Sequence, residues 1–280
     1  MIMIDKIETF GKSVFQHGRH NNRVYLMKLH LDDRVRIIPY LDDLALSRGY
    51  TKIFAKVPLS AKSLFLEHGY AVEASIPGFY AGKETALFMG KYFCRQRQEE
   101  RRPELVEEII RTAQEKGAHG GASKRHEAKL CRRADEQDVE EMAGLYREVF
   151  ATYPFPIHDP AYLKTTMTKN AVYFGIWQEG RLLALASTDC DADAKAAEMT
   201  DFATRVECRG QGLAGCLLDT MEKAMRAAGI HTAFTIARAY SFGMNITFAQ
   251  KGYHFDGTLT NNTNISGHLE SMNVWHKKLG

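Results

Sequence analysis

The chain has 280 residues, 45% hydrophobic and 25% charged, with a formal net charge of +3 at pH 7, which is long enough for two domains with cores and ordinary for a folded protein. So small and scattered a charge gives no footing for a nucleic-acid partner. No apolar run approaches the roughly 18 residues of a membrane helix, and Met1 to Lys6 open without the apolar stretch of a secretion signal. The five cysteines (Cys94, Cys131, Cys190, Cys208 and Cys216) show neither a C-x-x-C pair nor zinc spacing, so reduced thiols, no metal and a cytoplasmic setting are expected.

In chain order, Ile37 to Arg48 reads as a helix closed by Gly49-Tyr50, Lys52 to Val57 as a strand, and Leu59 to His68 as a helix. Gly69-Tyr70 then precedes a strand from Ala71 to Ser75. The mixed-sign run Arg95 to Arg102 suits a solvated helix face. Pro103 to Lys116 carries an apolar stripe of Leu105, Val106, Ile109 and Ile110, and Gly117 to Ser123 has linker chemistry. This divides the chain into a first domain over 1–95, a helical linker over 96–127 and a second domain over 128–280.

In the second domain Lys129 to Arg133 reads as a strand and Val139 to Val149 as an amphipathic helix. The proline-rich loop Tyr153 to Pro160 and a short helix over Ala161 to Lys169 follow. Val172 to Gln178 and Leu182 to Asp189 form a hairpin around Glu179-Gly180-Arg181, and Ala196 to Thr204 is the next strand. Then comes Arg209-Gly210-Gln211-Gly212-Leu213-Ala214, before a helix with Leu213, Cys216, Leu217, Thr220, Met221 and Ala224 on one face. Glycines that let the backbone approach a ligand, a helix start with free N–H groups and a fixed arginine charge together suit an anion. A strand over Thr232 to Ala237, a helix over Met244 to Lys251 ended by Gly252, and strands near His254 to Thr260 and Glu270 to Lys277 complete the chain.

Phe65-Leu-Glu-His-Gly-Tyr70 aligns with Phe248-Ala-Gln-Lys-Gly-Tyr253 within a shared helix, strand, helix, strand order. The first copy has Leu31-Asp-Asp-Arg-Val-Arg36 where the second has its glycine loop. The first domain is therefore expected to be a degenerate, half-sized copy without a ligand loop, leaving one site per chain, with an unrelated α/β cap as the alternative.

The element order over roughly 128–280 and the places filled by Arg209, Gly212 and Ala214 resemble the GNAT superfamily of N-acetyltransferases, whose acetyl-CoA loop reads Gln/Arg-x-x-Gly-x-Gly/Ala. The resemblance implies an α/β mixed sheet, acetyl-CoA as cosubstrate, and a pyrophosphate held by the amides of Gln211 to Ala214. It also implies a pantetheine arm running beside Phe202-Ala203-Thr204. Ser241 and Asn245 lie near the start of the helix that usually flanks that arm, with Asn245 either bonding an amide or capping the helix. Many members place a tyrosine four residues before the glycine of that helix to protonate the leaving thiolate, and here that position is Phe248.

The family commonly uses an acid on the strand before the loop as base, directly or through water. Strand alternation puts Glu198 and Asp201 on opposite faces unless a bulge intervenes. Glu198 is favoured and Asp201 second, each with an ordinary solvated or ion-paired acid as its alternative. Tyr153 and Phe155 lie where the superfamily builds its acceptor pocket, with loop packing the alternative for both and the stronger one for Phe155.

Met199 to Thr204, Ala237 to Asn245 and Asn261-Asn262-Thr263, with the two-part layout, are similar over the full length to the β-lysine N-acetyltransferases. That similarity implies acetyl transfer to the 6-amino group of β-lysine, giving an osmolyte, with a lysine 2,3-aminomutase as pathway neighbour. Glu198 or Asp201 would hold an ammonium and Arg238 the carboxylate. Another amine (a polyamine, lysine or a protein lysine) and a non-catalytic acetyl-CoA-binding module are the competing readings. The first domain, including Phe79-Tyr80, would either cover the acceptor site or form a homodimer contact.

Overall fold

A computed structural model of the chain describes residues 5–119, 131–265 and 267–280. The first half runs β1 (Lys6–Phe10), β2 (Ser13–Gly18), β3 (Arg23–Lys28), α1 (Arg34–Arg48), β4 (Lys52–Pro58), α2 (Lys62–Glu67), β5 (Ala71–Tyr80) and β6 (Glu84–Tyr92). Helices α3 (Arg95–Gln98) and α4 (Pro103–Ala118) connect it to β7 (Cys131–Arg133), α5 (Val139–Val149), α6 (Pro160–Met167), β8 (Ala171–Gln178) and β9 (Arg181–Asp191). The chain continues through β10 (Ala196–Thr204), α7 (Leu213–Ala227), β11 (Thr232–Arg238), α8 (Phe242–Gln250), β12 (His254–Ile265) and β13 (His268–Lys278).

The thirteen strands among the described residues form one sheet in the order β1-β2-β3-β4-β6-β5-β12-β13-β11-β10-β9-β8-β7. The order β1-β2-β3-β4-β6-β5 reappears as β8-β9-β10-β11-β13-β12, and β3–β4 and β10–β11 are parallel while the other pairs are antiparallel. The halves meet where Ala74 of β5 pairs with Gly257 of β12. The alignment of Tyr70 with Tyr253 makes those two residues equivalents, so the halves are related by a local two-fold at that pair. Gly257 is required there: a Cβ would lie 2.1 Å from the Glu73 carbonyl oxygen, and its φ is +146°.

The first half has six strands, more than the half-sized copy expected from its pattern. β3 and β6 are buried on both faces along much of their length, so they lack the alternation that marks a one-sided strand. At the helix start that corresponds to the glycine loop stand Asp32 and Asp33, and Asp33 accepts the N–H groups of Lys12 and Ser13. Two carboxylates there oppose an anion.

The expected linker is in part a packed element. Ala113 of α4 is wholly buried in the core beneath α7 and α8, and Gly117 still lies in the helix, where a Cβ would come 2.9 Å from the Ala249 carbonyl oxygen. Its glycine serves close helix packing rather than chain flexibility. The remainder of that stretch, 120–123, and Lys129 and Leu130 of the expected strand lie outside the described residues.

Candidate active site

β10 and β11 pair only over Ala196–Glu198 with Thr232–Phe234 and then separate, since β10 keeps its bonds to β9 while β11 keeps its bonds to β13. The separation opens a cavity of about 80 Å³ whose lining includes Tyr153, Asp201, Phe202, Ile236, Ser241 and Phe248. β10, which borders it, leads into the glycine loop before α7. Gly210 and Gly212 have φ of +76° and +79°, and Gly212 is the residue before α7. The N–H groups of Gly210 to Gly215 have no acceptor among the described residues, so a fan of donors meets the positive end of a 15-residue helix. Leu213, Leu217, Leu218, Met221 and Met225 hold α7 on the sheet and so fix the loop. The Arg209 side chain is exposed beside it, its Nε 3.4 Å from the Thr204 carbonyl oxygen. The end of β10 borders the gap, with Phe202 half-buried, Ala203 buried against α5 and Thr204 partly exposed.

The carboxylates are brought to one face by a bulge. The β9–β10 register slips between Thr200 and Ala203, where Asp201 adopts φ of +55°. Ahead of the slip Met199 faces α7; after it Phe202 takes that side, edge-to-face on Phe248 at 5.6 Å, and Ala203 turns toward α5. Asp201 thereby joins Glu198 on the α5 side. Asp201 accepts from the hydroxyls of Tyr153 at 2.5 Å, Ser187 at 2.6 Å and Thr200 at 3.3 Å. Burial raises its pKa, and the three hydroxyls oppose that rise. Burial likewise raises the Tyr153 phenol well above its ordinary value, with Asp201 adding to the effect, so Tyr153 remains a donor. Glu198 is pushed up to about 8, first by burial, then by the charges of Asp189 and Asp201, against the pull of Lys56.

Two expected contacts are not made. Asn245 is fully buried and committed: Nδ2 donates to the carbonyls of Arg238 (3.0 Å) and Ser241 (2.7 Å), while Oδ1 accepts from Asn273 and Trp275, each at 2.9 Å. It does not cap α8, and its amide has no hydrogen-bonding atom left for a coenzyme; it ties the helix to β11 and β13. Arg238 donates Nε and Nη2 to the buried Glu270 carboxylate at 2.8 and 2.6 Å, so its fork is occupied and it is not a free clamp for a substrate carboxylate. Ser241 lines the gap without a side-chain cap bond. Phe248 is 1% exposed, between Phe202 and Tyr253. Phe155 packs on the α5–α6 core while Tyr153 reaches Asp201.

The first half supplies Lys56 and Tyr25, which sequence patterns did not mark, beside the Phe79-Tyr80 pair that they did. Phe79 is fully buried edge-to-face on Phe234 at 5.2 Å, and Ala81 donates to the Ala194 carbonyl, so the β5–β6 hairpin closes over the turn before β10. Lys56, Tyr25 and Tyr80 fringe the same core, and the acids that raise the Tyr25 phenol include Glu198 and Asp189. Asp189 stands on the exposed rim. Only Ser187 and Asp189 carried a local signal, as alternate polar residues ending an apolar strand. Among the described residues no cluster of three or more His, Cys, Asp or Glu could hold a metal, and no helix is long and apolar enough to cross a membrane.

Residues 131–249 match the family model described as the acetyltransferase (GNAT) domain. The chain is 38% identical over 276 residues to the β-lysine N(6)-acetyltransferase of Methanococcus maripaludis, covering 98% of this chain and 99% of that protein. It is 33% identical to N-acetyltransferase YodP of Bacillus subtilis, covering 99% and 100%. It is 29% identical to the β-lysine N(6)-acetyltransferase of Methanosarcina mazei, covering 81% and 91%. The chain belongs to the GNAT acetyltransferases, in the family of the β-lysine N(6)-acetyltransferases, and is an acetyl-CoA-dependent N-acetyltransferase.

Proposed function

We propose that the chain transfers acetyl from acetyl-CoA to the 6-amino group of β-lysine, giving N6-acetyl-β-lysine in the cytoplasm. The observation that carries this reading is the bulge at Asp201, which brings Asp201 to the face that holds Glu198, on the strand that leads from the gap into the donor-lined loop before α7. Near-full-length identity to a relative named for that reaction supports the choice of acceptor.

The amides of Gln211 to Ala214, with Arg209, hold the pyrophosphate, and Phe202 to Thr204 and Ser241 border the pantetheine arm in the gap. Proximity and orientation then supply much of the rate. Glu198 takes the proton of the 6-ammonium, its raised pKa bringing it nearer to that of an amine. The free amine attacks the thioester carbonyl, the C–S bond breaks, and the thiolate takes up a proton. Asp201, saturated by three hydroxyls, fixes Tyr153 and attracts the ammonium. Phe248 donates no proton, so solvent or the proton taken by Glu198 serves the thiolate.

The test is acetyl-CoA consumption by the purified chain with β-lysine, L-lysine, ornithine, spermidine and a lysine peptide in parallel. Highest kcat/KM with β-lysine is expected. Preference for the peptide would reject the small-molecule acceptor, and tight coenzyme binding without turnover on any amine would reject acetyl transfer.

A further inference from the structure

We infer that Lys56, contributed by the first half of the chain, receives the acceptor's carboxylate and so selects amino-acid amines over plain diamines. The inference rests on the proposed acetylation of β-lysine and assigns the partner that Arg238 does not supply.

Lys56 lies two residues beyond Phe54 on β4, and thus on the same face, which packs against the second half through Phe88 and Phe234. Its ammonium stands over the rings of Phe79 at 5.2 Å and Phe234 at 5.8 Å. Phe234 is the β11 residue paired with Glu198, so the cation rests beside the strand pair that carries the proposed base. Among the described residues it has no carboxylate within 4.0 Å, although its charge is felt by Glu198 and by Asp189. Two aromatic faces hold such a cation while leaving its N–H donors free.

Other interior cations of the first half are already occupied. Lys52 bonds Glu73 and the Thr260 carbonyl; Arg23 bonds the Asn262 carbonyl; Arg97 bonds the Asn21 carbonyl.

Of the nearby carboxylates Asp201 lines the gap, and Glu198 and Asp189 lie close enough to it and to Lys56 for their charges to act on one another; the three suit ammonium groups and repel a carboxylate. β-Lysine has both kinds of charge. With its 6-amine at the gap, its carboxylate needs a cation at the far end, and Lys56 fills that need. A carboxylate-free diamine would leave Lys56 without the partner.

The test compares the wild type with Lys56→Met and Lys56→Arg, using β-lysine, β-lysine amide and 1,5-diaminopentane as acceptors. Met keeps the apolar stem on the two rings and Arg keeps the charge. Removing a charged hydrogen bond predicts a rise in KM for β-lysine of about 10- to 100-fold in Lys56→Met, with kcat within about threefold. The amide and the diamine should be poor acceptors of the wild type, and their kcat/KM should move by less than about threefold on substitution. Lys56→Arg should recover most of the β-lysine KM. Equal losses on all three acceptors, or an unmoved β-lysine KM, would overturn the assignment. The amide comparison needs only the wild type, so it stands even if a variant fails to fold; equal use of β-lysine and its amide also overturns the inference. A wild type that takes the diamine in preference to β-lysine would instead remove the β-lysine reading, and Lys56's role with it.

Discussion

Asp201 accepts three hydroxyl hydrogens, while the Glu198 carboxyl meets the Ile236 N–H and, among the described residues, no side-chain donor within hydrogen-bond distance. That asymmetry separates a positioning acid from a proton acceptor, because a carboxylate whose lone pairs are occupied has little basicity to offer. With Glu198 at about 8, its basic form grows as pH rises through that value. The kcat of the wild type should therefore climb to a plateau above pH 8, and Glu198→Gln should lower kcat by about 100-fold or more and abolish that limb while leaving the KM for acetyl-CoA within about threefold. A shared limb in the variant would assign it to the substrate amine. The same group makes a stability prediction of definite sign. Between its unfolded value near 4.5 and its folded value near 8, the native state holds a proton that the unfolded state has released, so stability falls as pH rises through that window. Glu198→Gln removes the loss. Its melting temperature should match the wild type at pH 4 and exceed it at pH 9, which differential scanning calorimetry would show.

Elements decide what single residues cannot. The glycine loop was legible in the sequence because its chemistry is local: two glycines, an arginine and a helix in a dozen residues. Gly212 at φ of +79° begins α7 in a conformation that a β-branched side chain resists. Gly212→Val should raise the coenzyme Kd by about tenfold or more, on the scale of one or two lost charged hydrogen bonds, with unfolding still cooperative; unchanged binding by calorimetry would remove the proposed pyrophosphate site. The bulge was legible only as a condition, not as a place in the strand. Period-two reading placed Glu198 and Asp201 on opposite faces, and only an αL residue inside β10 reverses that, a conformation Asp tolerates better than most side chains. Arg238 misled for a related reason: its partner Glu270 is 32 residues away on β13, and a bidentate ion pair across β11 and β13 leaves no local trace.

At the scale of the whole molecule, the repeat alignment from Phe65 to Tyr70 pointed to a related first half, but not to how the halves join. They share a continuous sheet, and their junction is polar as well as apolar. Lys52, fully buried on β4, donates to Glu73 on β5 at 2.9 Å and to the Thr260 carbonyl of β12 at 2.9 Å, while the Thr260 N–H donates to Glu73 at 3.0 Å. Burial pulls Lys52 down to about 8 against the opposing pull of Glu73, so the carboxylate keeps the ammonium charged. Glu73→Ala would leave a buried cation without its counterion and a strand amide without its acceptor, at a cost of about 3–5 kcal/mol. Because the triad spans both halves, the loss should appear in one cooperative transition shared by near-ultraviolet and far-ultraviolet circular dichroism, with the urea midpoint lowered and the slope retained. Two separate transitions would mean that the halves are stabilised independently. The double variant Lys52→Met with Glu73→Leu removes both charges together and should recover part of the loss, since an apolar pair avoids the uncompensated buried charge. Failure of that recovery would trace the cost to the Thr260 amide rather than to the ion pair.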